Sequence, residues 1–321
     1  MKNNVIIVGA GINGLMCAYY LLKQGDVEIK VYDQNQIPNP TSASFGKHRL
    51  IHPWNNNGCV QIAQKALSAL SQWRDILNDI DCDGFERTGV ISLGNEDASS
   101  QFIHKIDVRL LSATTIRELF PFLEDIENGY VHHFPQFGVL FANRIMTDLV
   151  QYLKKNGVQF HERNSAVSLD AQRGEVCFSN GEIVAGDKII IAAGYGANSI
   201  VGSSFKKEEY FLPSFRPMRC YVAYVKHPKM RIDEIFPAWA SLGVGDMWGM
   251  PPLRGIPMKL GCGDFTKPSD PLAADDSHTI SQEIVERYKQ LFPKFDGMEI
   301  EYAGINHWTD INSEAVSQRM V

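Results

Sequence analysis

The chain has 321 residues, a formal net charge of -6, 44% apolar and 21% charged residues. This is ordinary globular composition in a chain too long for one core of typical domain size, so two lobes are expected. The acidic balance and the lack of a basic run exclude nucleic acid or an acidic membrane as the main partner, and leave a small molecule as the expected one.

Val5-Ile6-Ile7-Val8 is a β-branched run that reads as a parallel strand buried on both faces. Gly9 to Gly14 turns the chain, Leu15 to Gln24 has helical apolar spacing closed by Gly25, and Ile29 to Asp33 is a second strand ending in an acid. The polar segment from Gln34 to Arg49 is longer than a connection needs and reads as a functional loop. Cys59 to Ile80 has the period of one amphipathic helix through Ile62, Ala66, Leu70, Trp73 and Leu77. Gly89 to Leu93 reads as a strand, and Ser112 to Arg117 as a short helix stopped at Phe120-Pro121-Phe122.

Farther along, Phe137 to Phe141 precedes a helix from about Ile145 to Lys155, and Gly157 to Phe160 restarts a strand. Lys188 to Gly194 is a further buried strand that runs into a turn and returns the chain to the first sheet. Pro213 to Val225 and Lys259 to Gly263 read as strands of a second sheet, with Thr279 to Phe292 helical beside it. No apolar stretch approaches the roughly 20 residues of a membrane helix. The six cysteines show no C-x-x-C spacing, so no metal site or dithiol motif is read, and a reduced cytoplasmic protein is expected.

Gly9-Ala10-Gly11-Ile12-Asn13-Gly14 fits G-x-G-x-x-G between a strand and a helix, and Asp33 follows nineteen residues beyond Gly14. The first glycine permits the turn, the second lets backbone N–H groups approach a pyrophosphate, and the third lets helix and strand pack closely. Asp33 would accept hydrogen bonds from ribose hydroxyls. Nicotinamide and flavin dinucleotides share this pattern, which alone does not separate them.

Three later blocks are similar to FAD-dependent amine oxidases of the monomeric sarcosine oxidase and N-methyltryptophan oxidase type, within the D-amino-acid-oxidase superfamily. Ser42-Ala43-Ser44-Phe45-Gly46-Lys47-His48-Arg49-Leu50-Ile51 resembles the loop of Ser, Gly and Arg beside the isoalloxazine. Ile189 to Ala197, with Ala193 and Gly194, resembles the strand and turn near the flavin nucleotide, and Val167 stands where the family presents a backbone contact to adenine. Met258-Lys259-Leu260-Gly261-Cys262-Gly263 resembles the strand bearing the oxygen-activating lysine.

The resemblance implies FAD as cofactor, Gly9, Gly11, Ile12, Asn13, Gly14, Asp33, Ser42, Ser44, Arg49, Val167, Ala193 and Gly194 as its binding residues, and Lys259 and Arg49 as the catalytic cations. An ammonium beside the ring would stabilise charge passing to O₂ in a poorly solvated site, and a fixed guanidinium would hold the reduced ring. Trp308, with Tyr221 and Trp248 as secondary candidates, could wall an apolar substrate pocket. His48 and His52 flank the arginine.

The pattern also departs from the family. Asn306 stands where covalent-flavin members carry a cysteine, so non-covalent FAD is expected. His52 replaces an arginine that holds the substrate carboxylate, and Gly263 replaces a histidine, which disfavours simple N-methylglycine. Nothing after Thr309 resembles the family's carboxy-terminal strand and glycine-rich turn, which leaves a truncated product, a partner chain that completes the site, or lost catalysis.

The expected fold is α/β, a Rossmann-like FAD-binding domain over 1–82, 143–212 and 300–321 with a second, sheet-based substrate domain over 83–142 and 213–299. The expected activity is oxidation of a C–N bond in a secondary or cyclic amine or amino acid to an imine, with O₂ reduced to hydrogen peroxide. The alternatives are an FAD-dependent hydroxy-acid dehydrogenase and a non-catalytic flavin-binding protein.

Overall fold

A computed structural model describes residues 3–53, 60–94, 106–119, 130–202, 215–228, 236–242, 246–268 and 275–311. The expected stop at Phe120 to Phe122, and Cys59, lie outside these residues. In chain order the first half runs β1 (Asn3–Val8), α1 (Ile12–Gln24), β2 (Val27–Tyr32), β3 (Arg49–Ile51), α2 (Val60–Asp79), β4 (Phe85–Glu86), β5 (Val90–Gly94), β6 (Arg109–Leu111), α3 (Ala113–Leu119), β7 (Tyr130–Phe134), β8 (Gly138–Leu140) and α4 (Ala142–Lys155). The second half runs β9 (Gln159–His161), β10 (Ala166–Asp170), β11 (Glu175–Phe178), β12 (Ile183–Ala185), β13 (Lys188–Ile191), α5 (Ala197–Gly202), β14 (Phe215–Lys226), β15 (Ala238–Leu242), β16 (Met247–Met250), β17 (Met258–Pro268), α6 (Ser277–Leu291) and β18 (Glu299–Ile311).

The β-branched run behaves as its composition dictates. Ile6 and Ile7 are fully buried because β1 lies inside a parallel sheet of order β13-β1-β2-β9 among the described residues. Val8 pairs with Ile191 on one side and Tyr32 on the other, so the ends of β1, β2 and β13 open at one edge. Helices α1 and α4 cover one face, where Leu15, Ala18 and Tyr19 meet Met146, Leu149, Val150 and Leu153 in one core cluster. The small antiparallel sheet β10-β11-β12 covers the other, where Val176 and Phe178 pack on Ile6, Val8 and Tyr32.

A second sheet has the order β18-β14-β17-β16-β15-β5-β7-β6. Its two faces have different neighbours. Tyr221, Ala223, Val225, Met258, Leu260 and Cys262 form a core with Ile284, Val285 and Tyr288 of α6. The alternate positions Tyr224 and Lys259, paired across β14 and β17, turn toward the loop that precedes β3. Residues 300–311 differ from the expected placement in the nucleotide lobe: β18 pairs with β14 from Phe215↔Ile311 to Lys226↔Glu299, so a long antiparallel ladder fixes it in the second sheet. Residues 312–321 lie outside the described residues. No described helix is long and apolar enough to cross a membrane.

Candidate functional site: a dinucleotide cradle beside a buried lysine

The glycine loop folds as its spacing requires. Gly9 has φ of +106°, and a Cβ there would strike the Ala192 carbonyl; a Cβ on Gly14 would strike the Gly9 carbonyl. Side chains are thus barred at the turn and at the crossing of α1 over β1. Gly11 caps α1 without any side-chain hydrogen bond, and the first turn holds no acid, so an anion can approach the helix end. Ile12 N–H donates to Ser44 Oγ at 2.9 Å, which ties the second loop to the first.

Asp33 ends β2 and is buried. Its Oδ2 accepts from Ala10 N–H at 2.9 Å, while its Oδ1 accepts from Asn35 N–H at 2.9 Å and from Asn39 Nδ2 at 3.0 Å. The acid is therefore held at the mouth of the glycine turn. Around both features runs a cavity of about 880 Å³, within the range of cofactor sites. Gly9, Gly11, Ile12, Asn13, Asp33, Ser42, Ser44, Arg49, Ala193 and Gly194 line it. Asn164, Ser165 and Ala166 line it next to the expected Val167, whose own side chain is exposed. Gly14 lies behind the wall as a packing residue.

The cavity also has a wall that sequence reasoning missed, formed by Trp73, Leu140, Ala142, Ile145 and Met146. Their apolar spacing marks them as core, and only the tertiary fold shows that Trp73 of α2 and the first turn of α4 border a cofactor-sized space. Asn39 and Thr41 line it as well, from the loop expected to be functional, although neither residue was singled out there.

Arg49 opens β3. Its Nη1 donates to the His48 carbonyl at 3.0 Å and its Nη2 to the Ala43 carbonyl at 2.6 Å, so the guanidinium is fixed by backbone of its own loop. Burial lowers its pKa. Lys259 is fully buried on β17, and Nζ donates to the same His48 carbonyl at 3.4 Å. Its ammonium stands 5.4 Å from the Trp248 ring centre and 5.7 Å from that of Tyr224, within cation–π range of both. Burial, reinforced by Arg49, pulls the Lys259 pKa down to about 7. The two cations expected from separate blocks thus meet at one carbonyl.

His48 is also fully buried, stacks on Tyr224 at 5.9 Å, and is held neutral with a pKa of about 3 by burial and by Lys259. Its carbonyl is the acceptor that Arg49 and Lys259 share. Tyr221 is corrected as a pocket wall: strand alternation turns it to the α6 side, where its hydroxyl donates to Asp276 at 2.5 Å. Trp248 stands on the Lys259 side. His52 follows β3 and does not line the cavity. Trp308 pairs in register with Met218, and its side chain lies outside the described residues.

The chain belongs to the family of FAD-dependent oxidoreductases known as DAO, whose model matches residues 4–314. It is an oxidoreductase that uses FAD, and the glycine turn, the held acid and the cavity fit that cofactor. Among curated relatives it is similar to monomeric sarcosine oxidase of Bacillus sp. (strain B-0618), 25% identical over 282 residues that cover 84% of this chain and 70% of the relative. Among solved structures it is similar to L-proline dehydrogenase from P. horikoshii, with a TM-score of 0.80 and 16% identity over 97% of this chain and 82% of that one. It also resembles fructosyl amine:oxygen oxidoreductase from Aspergillus fumigatus, with a TM-score of 0.75 and 17% identity over 97% of this chain and 77% of that one. These two likenesses speak for the fold.

Proposed function

We propose that this protein oxidises a C–N bond of a secondary or cyclic amine or amino acid to an imine, with O₂ reduced to hydrogen peroxide, using non-covalently held FAD. Bound FAD supplies the two-electron acceptor that takes hydride from carbon and passes the electrons on to oxygen. The observation that carries this reading is the buried Lys259, bracketed by Trp248 and Tyr224 and sharing an acceptor with Arg49.

A dry ammonium is worth much more to a developing negative charge than a solvated one, because the effective dielectric around it is low. Lys259 would hold the charge that forms on oxygen, and Trp248 and Tyr224 would keep water out. Arg49, tethered at two carbonyls, would keep its plane in place without reorganising when charge appears beside it. The glycine loop, Ser42, Ser44, Ala193 and Gly194 would seat the dinucleotide, so that binding energy spent away from the chemistry orients the reacting end.

Replacement of Lys259 by Met keeps length and apolar stem while removing the charge. Stopped-flow mixing of the reduced enzyme with O₂ should show reoxidation slowed on the order of 100-fold, the usual cost of one preorganised charge. Unchanged reoxidation removes Lys259 from this role. Fast transfer to a quinone dye with sluggish O₂ reaction in the parent enzyme would instead identify a dehydrogenase.

A further inference from the structure

The loop that follows β2 carries a hydrogen-bond hub. Asn39 is buried, lines the cavity, and gives Nδ2 to Asp33 Oδ1 at 3.0 Å. Its Oδ1 accepts from Thr41 N–H at 2.9 Å, from Thr41 Oγ1 at 2.8 Å and from Asn35 Nδ2 at 3.4 Å. The orientation of this amide follows from chemistry. The Thr41 N–H can only donate, so the amide oxygen must face it and the amide nitrogen must face the carboxylate. A flipped amide would set donor against donor and carbonyl against carboxylate.

Asp33 then accepts three hydrogen bonds, from Ala10 N–H, Asn35 N–H and Asn39 Nδ2. An ionised carboxylate offers about four lone-pair sites, so one is left for a ligand. Ala10 and Asn35 hold the acid through backbone N–H groups that any residue but proline could supply. Asn39 is the side chain that closes the arrangement and decides where the remaining lone pair points.

We infer that Asn39 is a positioning residue: it fixes the Asp33 carboxylate so that its remaining acceptor meets the adenosine ribose of the dinucleotide. The inference rests on FAD binding and is independent of which bond the enzyme oxidises. Asn39 touches the ribose only through Asp33.

The test is competition for the holoenzyme, with ADP or 2′-deoxy-ADP displacing FAD and released flavin followed by fluorescence. Both nucleotides compete with the same bound FAD, so the affinity for FAD cancels in the ratio of their midpoints. In the parent protein ADP should compete at about tenfold lower concentration, the fold-change of one charge-assisted hydrogen bond. In Asn39→Leu the ratio should fall to near one, as in the reference variant Asp33→Ala. A ratio that stays at the parent value overturns the positioning role. If Asn39→Leu fails to fold, Asn39→Ser is read by the same ratio, since its shorter side chain withdraws the amide from Asp33 and keeps a polar group in the loop. A parent ratio of one would overturn the inference through Asp33 itself and leave the C–N chemistry untouched.

Discussion

Lys259 pays for its position. A lysine in solution keeps its proton to about pH 10.4, and burial beside Arg49 brings this one down to about 7. The folded state therefore binds fewer protons than the unfolded chain between these values, so this group's penalty is full below pH 7 and fades as pH rises above it. Lys259→Met should stabilise the flavin-free protein at pH 6 by up to about 5 kcal/mol, at about 1.36 kcal/mol per pKa unit, and much less near pH 10. Urea unfolding at both values measures this, and an equal gain at both would contradict the assignment. In the parent enzyme, reoxidation by O₂ should slow as pH rises through the lysine pKa, and Lys259→Met should lose that dependence.

At this scale the sequence was partly legible. Gly9, Gly11 and Asp33 carry their chemistry in their spacing, because a turn, a helix end and an acid at a strand end are local events. Asn39 was not legible, since an amide in a polar loop acquires its role only when the loop folds back on β2. Val167 was read for a backbone contact, and its neighbour Ala166 lines the cavity while the Val167 side chain is exposed.

One side chain of helix α6 links three strands of the second sheet. The Tyr288 hydroxyl accepts from Trp239 Nε1 at 3.0 Å and faces the carbonyls of Trp248 at 2.9 Å and Gly261 at 3.1 Å. It joins β15, β16 and β17 behind the strand that presents Lys259. Tyr288→Phe leaves the buried indole N–H without its acceptor and should cost about 1–3 kcal/mol, measured by denaturant midpoint at constant slope. An effect below ~0.5 kcal/mol, the size of an ordinary surface substitution, would show that packing alone holds the helix.

Periodicity exposed α4 and α6, whose apolar residues recur every three or four positions. The short strands β10 to β12, β15 and β16 escaped it, because three to five residues carry too little alternation. The lobe of β18 escaped for another reason: pairing with β14 is a long-range contact that no local pattern encodes.

Across the whole molecule, the cavity lies where β1, β2 and β13 end against the loop that also reaches Lys259. Space of about 880 Å³ in the folded chain gives the dinucleotide a site absent from the unfolded chain. Excess FAD at about 100 times its dissociation constant should therefore stabilise the flavin-free protein by about 2.7 kcal/mol. Thermal melts across a flavin titration test this, and a midpoint indifferent to FAD would contradict the assigned cradle.

The central claim is that an amine carbon gives up its hydride in this site. Anaerobic mixing of the flavin-loaded protein with a panel of secondary and cyclic amino acids, watched through the visible flavin band, tests it most directly. Bleaching by at least one such amine, with hydrogen peroxide released when O₂ is admitted, is the predicted result. Bleaching by hydroxy acids alone, or by no member of the panel, would contradict it.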